Sequence, residues 1–73
     1  MTLHEAMALV LGEQPANEMS VRELTTEINR RALYRRRDGS LLEASQVHAR
    51  AKKYTRLFDK GGSVVRLRTE DED

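Results

Sequence analysis

Arg35, Arg36 and Arg37, then Lys52 and Lys53, then Arg56, Lys60 and Arg66 place positive charge at short intervals through the second half of this 73-residue chain. Of the 13 Lys and Arg residues, all but Arg22 fall within positions 30–68. They face only Asp38, Glu43 and Asp59 there, a net of +9 inside a chain whose formal net charge is +1. Residues 1–29 set Arg22 against Glu5, Glu13, Glu18, Glu23 and Glu27, a net of −4, and the last four residues, EDED, add −4 more. Cations gathered in this way suit a polyanion: each phosphate they neutralise releases condensed counterions. The bland alternative is a solvated basic face without a partner. Ser45, Gln46, His48 and Arg50 stand among the cations. Gln46 can pair bidentately with adenine and Arg50 with guanine in a major groove. Lys52 and Lys53, flexible point charges, suit phosphates better.

Other chemistries lack their residues. No Ser/His/Asp set can be placed, no glycine-rich loop opens a helix, and no paired carboxylates sit on a rigid scaffold, so no catalysis and no cofactor are expected. His4 and His48 are the only histidines, on different expected helices, and there is no cysteine. Neither a metal site nor a disulfide is therefore expected. His4 is expected to be a first-turn surface residue. The apolar runs are far short of a membrane span, and no basic-then-apolar leader opens the chain. A cytoplasmic protein is expected, nucleoid-associated if bacterial, with no membrane and no small-molecule substrate. Seventy-three residues allow one domain, burying about 60% of the surface of its unfolded chain.

The elements that must position the cations follow from apolar spacing. Thr2-Leu-His-Glu5 has the form of a capping box. Leu3, Ala6, Met7, Val10 and Leu11 make one helical stripe, so a helix is predicted over 2–11, with Gly12 as a left-handed cap. A polar loop with Pro15 follows, and Met19 is expected in a one- or two-residue strand pairing with a later hairpin. Ser20-Val-Arg-Glu23 repeats the capping box. Val21, Leu24, Ile28 and Ala32 share a face of a second helix, 21–31. Leu33 and Tyr34 should close the core on that side. Asp38-Gly39 predicts a turn with positive φ. Ser40-Leu-Leu-Glu43 reads either as a third capping box or as a loop plugging Leu41 or Leu42 into the core. The second is preferred, because a helix starting at Ala44 keeps Ala44, Val47, Ala51 and Tyr54 on one face. Ser45, Gln46, Ala49, Lys52 and Lys53 then face away, with His48 and Arg50 on the flanks. Residues 57–60 and 63–68 form a hairpin about Gly61-Gly62. Val65 and Leu67 point to one side, Val64, Arg66 and Arg68 to the other. The tail 69–73 should be disordered.

Helix, short strand, helix, basic loop, basic helix, basic hairpin is the order of a winged helix-turn-helix. The fold class expected is mainly α with a small β-hairpin: three helices plus a C-terminal wing over 1–68. The pieces HEAMALVL, MSVRELTTEINRRALY, DGSLLEASQVHAR and LFDKGGSVVRLR, in this order and spacing, resemble the HARE-type helix-turn-helix. That winged-helix domain is found beside bacterial restriction and modification proteins, in the delta subunit of bacterial RNA polymerase and in eukaryotic chromatin regulators. The likeness covers residues 4–68. It departs at Ala32, where the family often has Gly, and near Leu41, where it often has proline. Ala32 can stay helical, so the second helix is expected to run longer here. The resemblance implies a DNA-binding or DNA-sensing adaptor that targets an attached activity, with the reading of modified bases as one such role.

Residues and resemblance together lead to one expectation: a non-catalytic module binding double-stranded DNA in a targeting or regulatory role. The third helix would enter the major groove. Arg35, Arg36 and Arg37 from the turn, and Arg56, Lys60, Arg66 and Arg68 from the hairpin and its approach, would lie on the backbone. The alternative is a protein-interaction module whose acidic first two helices dock to RNA polymerase or to a restriction-modification partner. A further expectation is that EDED competes with DNA for the basic surface.

Overall fold

A computed structural model describes residues 1–68; the disorder and the competing role expected for the acidic tail lie outside the described residues. Three helices pack around one core and against a three-stranded antiparallel sheet. Helix α1, Leu3–Gly12, begins as its sequence requires. Thr2 Oγ1 accepts from the Glu5 N–H at 3.3 Å, and the Thr2 N–H donates to Glu5 Oε1 at 2.7 Å. The stripe Leu3, Ala6, Met7, Val10 and Leu11 is buried throughout. The helix ends differently from expectation. Gly12 stays helical, and Glu13 caps the end in the right-handed region. The Glu13 and Gln14 N–H groups bond back to Val10 and Leu11, and Gln14 Nε2 also reaches the Val10 carbonyl. With the last carbonyls satisfied this way, a left-handed glycine is unnecessary.

A single 3₁₀ turn, Pro15–Asn17, leads into β1, Glu18–Ser20. Met19 thus lies in a strand, as expected, one residue longer than foreseen. Ser20 ends β1 and caps α2, Val21–Arg31, accepting from the Glu23 N–H at 3.0 Å. The Glu23 carboxylate accepts from the Ser20 hydroxyl rather than from its backbone N–H, so the capping box is half formed. Val21, Leu24, Thr25 and Ile28 are buried, and the Thr25 hydroxyl donates to the Val21 carbonyl at 2.7 Å.

Ala32 does not extend α2. It turns left-handed at φ 54°, is exposed, and lets the Leu33 N–H reach the Ile28 carbonyl at 3.1 Å. That six-to-one bond is the closing signature of a helix, and it swings half-buried Leu33 and Tyr34 back onto the core. The same turn takes Ala32 off the apolar face assigned to it.

The following loop turns at Gly39, φ 84°, where Asp-Gly placed it. Of the two leucines, Leu42 enters the core at 3% exposure while Leu41 stays out at 59%. Asn29, on α2, holds the Leu42 backbone from both sides. Its Nδ2 donates to the Leu42 carbonyl at 3.0 Å, and its Oδ1 accepts the Leu42 N–H at 2.9 Å. Helix α3, Ala44–Lys53, starts where the preferred alternative put it. It buries Val47 and Ala51 and half-buries Tyr54, but Ala44 at its first turn is exposed.

Strands β2, Phe58–Gly61, and β3, Val64–Leu67, form the hairpin, and β3 lies between β1 and β2. The loop is Gly62-Ser63, one residue later than Gly61-Gly62, because Gly61 pairs with Val64. Gly62 supplies the positive φ, 61°, at the first loop position. Phe58, Val65, Leu67 and Met19 pack on the helices. Glu18, Asp59, Val64 and Arg66 form the outer face of the sheet, as the register dictates.

Left-handed backbone costs an alanine about 1 kcal/mol relative to glycine. Ala32→Gly is therefore expected to raise the melting temperature by roughly 4–8 °C in a domain of this size. A thermal melt in which it falls would contradict the left-handed ending.

Candidate nucleic-acid interface

The cations of residues 30–68 divide by what they touch. Arg31 bridges two carboxylates, with Nη2 to Glu13 at 2.8 Å and Nε to Glu27 at 2.6 Å; Arg30 Nε also donates to Glu27, at 3.0 Å. These pairs join the end of α1 to the end of α2 and neutralise themselves. Arg36 lies 3.5 Å from Glu43, and Arg66 and Arg68 lie 3.4 and 3.8 Å from Asp59. Arg66 stands in register with Glu18 on one side and Asp59 on the other, so a row of alternating charge crosses the outer sheet face. Arg68 Nε is spent on the Thr55 carbonyl at 2.9 Å. The hairpin is thus less positive towards solvent than its sequence implies.

Among the described residues, the remaining cations have no carboxylate partner. Arg35 and Arg37 project from the turn before α3 and are exposed. Lys52 and Lys53 are exposed at the end of α3, and Arg56 is exposed just beyond it. Arg50 and Lys53 lie 5.8 and 5.9 Å from the centre of the Tyr54 ring, within cation–π range. Lys60 is half-buried in β2, and its Nζ donates to the Gly62 carbonyl at 2.8 Å. Unpaired charge therefore gathers at both ends of α3. Between those ends the outward face carries the small exposed residues Ser45 and Ala49, which leave the helix backbone open to close approach.

His48 and Gln46 flank that face, both half-buried. Gln46 is already engaged locally, because its Oε1 accepts the Glu43 N–H at 3.1 Å and so caps α3. Bidentate pairing with adenine would have to share that oxygen, which has a second lone pair, so Gln46 offers its Nε2 most freely while the cap holds. His4 is not an idle surface residue. It stacks on Tyr54 with ring centres 4.3 Å apart and tilted 25°, tying the start of α1 to the end of α3.

Tyr34, Arg36, Arg37, Asp38 and Gln46 line an open groove of about 350 Å³. The fold thus brings two of the turn arginines beside the first turn of α3. Arg35 is not part of the groove, and Lys60 and Arg66 belong to the hairpin. Sequence reasoning passed over Tyr34, Asn29 and Tyr54 as site-forming residues. Tyr54 had a readable signal, an aromatic four residues after Arg50; the other two depend on tertiary contacts.

Neither protein-family models, nor curated proteins, nor solved structures give a match to this chain. Among the described residues, no group of three or more His, Cys, Asp or Glu is placed to hold a metal ion. No helix there is long and apolar enough to cross a membrane. The acidic first third is largely engaged: Glu5 and Glu23 cap helices, and Glu13 and Glu27 hold Arg31.

The Arg30 and Arg31 guanidiniums hold the Glu27 carboxyl at about 2, down from its ordinary 4.5. A depressed carboxylate contributes stability in full above the unfolded value and loses it as pH falls through the folded one. Glu27→Gln should therefore lower the melting temperature at neutral pH. It should also flatten its decline between about pH 4.5 and 2. An unchanged melting temperature-versus-pH curve would show that this ion-pair cluster contributes nothing.

Proposed function

We propose that this chain is a winged helix-turn-helix module that binds double-stranded DNA, with α3 presented to the major groove. The observation that carries it is the distribution of unpaired cations: Arg35 and Arg37 before α3, Arg50, Lys52 and Lys53 on it, Arg56 after it. Cations at both ends of a helix can meet the phosphates that border a groove. A ten-residue helix is about 15 Å long, and a major groove about 12 Å wide admits it. Ser45 and Ala49 are small enough to let the helix sit deep. The helix–strand–helix–helix–hairpin order and the resemblance to the HARE-type family support the same role, that of a non-catalytic targeting or regulatory module.

Base reading on this proposal falls to Arg50 and His48 on the flanks more than to Gln46. Arg50 and Tyr54 are both half-buried, and leaving the ring would cost Arg50 about 0.5–2 kcal/mol, which a bidentate base contact can offset. Lys60 lies on the hairpin and reaches backbone at most. Arg36 and Arg66, each beside a carboxylate, contribute less than their neighbours.

Fluorescence anisotropy on a random-sequence duplex, titrated from low to physiological salt, tests the proposal. The slope of log K against log salt should lie between about −4 and −6, at about −0.9 per phosphate contacted. Arg37→Ala and Lys52→Ala should each make it shallower by about 0.9, whereas Arg30→Ala, whose guanidinium is paired with Glu27, should leave it unchanged. No binding at low salt would rule the DNA role out.

A further inference from the structure

The groove beside α3 is more specific than a phosphate clamp requires. Its polar groups are tied down by their neighbours. Asp38 Oδ1 accepts from the Ser40 N–H at 3.0 Å and from the Ser40 hydroxyl at 2.6 Å. Gln46 Oε1 is fixed by the Glu43 N–H at 3.1 Å, and Arg36 leans on Glu43 at 3.5 Å. Tyr34 is rooted by its packing against the core. What each residue has left is defined: Asp38 Oδ2 as an acceptor, Gln46 Nε2 as a donor, the Arg37 guanidinium, and the Tyr34 ring.

A free phosphate suits the arginines but not the Asp38 carboxylate, whose charged form the Ser40 hydroxyl and N–H further favour by holding its pKa below the ordinary value. A nucleobase suits all four. It brings donors on an exocyclic amine, acceptors on its ring and carbonyl positions, and a π-face for an aromatic ring. A volume of about 350 Å³ is at the lower end of small-ligand sites. A base inside a duplex has its face stacked and its pairing edge in use, so only one released from the stack can enter such a groove.

We propose that the groove lined by Tyr34, Arg36, Arg37, Asp38 and Gln46 accepts one unpaired, amine-bearing nucleobase, so that this domain favours duplexes carrying an extruded nucleotide over fully paired ones. The proposal rests on the DNA-binding role above. The geometry divides the labour: α3 and its flanking cations hold the duplex, and the groove at the start of α3 takes a base displaced beside it. Tyr34 supplies the stacking surface, Asp38 accepts a hydrogen bond from the exocyclic amine, and Gln46 with Arg37 donates to the acceptors.

The test compares anisotropy titrations of one duplex, fully paired and with a single-adenine bulge, and repeats them with a fluorescent adenine analogue in the bulge. Stacking and edge contacts should make the bulged duplex bind roughly five- to 150-fold tighter, and the analogue's emission should change on binding. Tyr34→Leu, which keeps apolar bulk, and Asp38→Asn, in the exposed turn, should each remove most of that preference. Neither should weaken binding to the paired duplex, and Asp38→Asn, which removes a negative charge beside the turn arginines, should tighten it slightly; that retained binding also shows that the variants are folded. Equal affinity of the unaltered protein for the two duplexes would overturn the base site and leave duplex binding standing. A preference that survives both substitutions would also overturn it, because bulge flexibility alone would then be the cause. Binding to neither duplex at low salt would remove the DNA role itself.

Discussion

The Asn29 carboxamide is the contact on which the placement of α3 depends. Helix α3 grips the core with only Val47 and Ala51 fully buried among its ten residues. So weak an apolar face cannot fix a helix by itself, and its ends must be held. At the front, Asn29 supplies both a donor and an acceptor to Leu42, two residues before the helix begins. Each such bond nets about 0.5–1.5 kcal/mol, and losing both would leave part-buried backbone groups unsatisfied. The Leu42 side chain buried beside them adds the apolar anchor. At the rear, the Tyr54 carbonyl accepts the N–H groups of Leu57 and Phe58 at 3.0 Å each, and Phe58 is buried under the sheet. His4 stacked on Tyr54 braces the same end from α1.

Held in this way, α3 exposes the side of the molecule where charge is unspent. The carboxylates are placed to quiet cations elsewhere. Glu13 and Glu27 absorb Arg30 and Arg31 at the junction of α1 and α2, while Asp59, with Glu18 in register across β3, faces Arg66 on the sheet. A net formal charge of +1 is thus compatible with a strongly directional surface. Net charge sets solubility, whereas the arrangement of charge sets which face meets a polyanion. On the proposed DNA-binding role, the small residues at the middle of the outward face and the cations at its ends would let the helix backbone approach closely between two lines of phosphate.

What the sequence disclosed and what it withheld have separable physical causes. Features set within a few residues were legible. The Thr2–Glu5 cap, the stripe from Leu3 to Leu11, the Ala44 start of α3 and the positive φ at Gly39 all follow from local spacing and local chemistry. Helix endings were not, because they depend on what the chain meets next: Gln14 folding back onto Val10 spares Gly12 a left-handed turn, and the return of Leu33 and Tyr34 to the core forces one on Ala32. The hairpin loop moved by one residue because the pairing of β3 with β1 as well as β2 fixes its register. The candidate site shows the same division. Its cations could be read as a set, but not which were already engaged. Glu18 is distant in sequence from Arg66, and Asp59, seven residues before it, faces it only in the register that the sheet fixes. Gln46 serves as a cap through a Glu43–Gln46 pairing that base-reading chemistry does not bring to mind, and the groove at Tyr34 exists only once Asn29 has placed α3.

The most direct measurement of the central claim is an amide-resolved NMR titration of the isotope-labelled chain with a short duplex. Shifts should concentrate on Arg35, Arg37, Ser45, Ala49, Lys52 and Arg56, and the amides of Glu13, Glu18, Glu27 and Asp59 should stay in place. Shifts centred on the outer sheet face around Glu18, Asp59 and Arg66, or on the Glu13–Glu27 side, with α3 undisturbed, would contradict it.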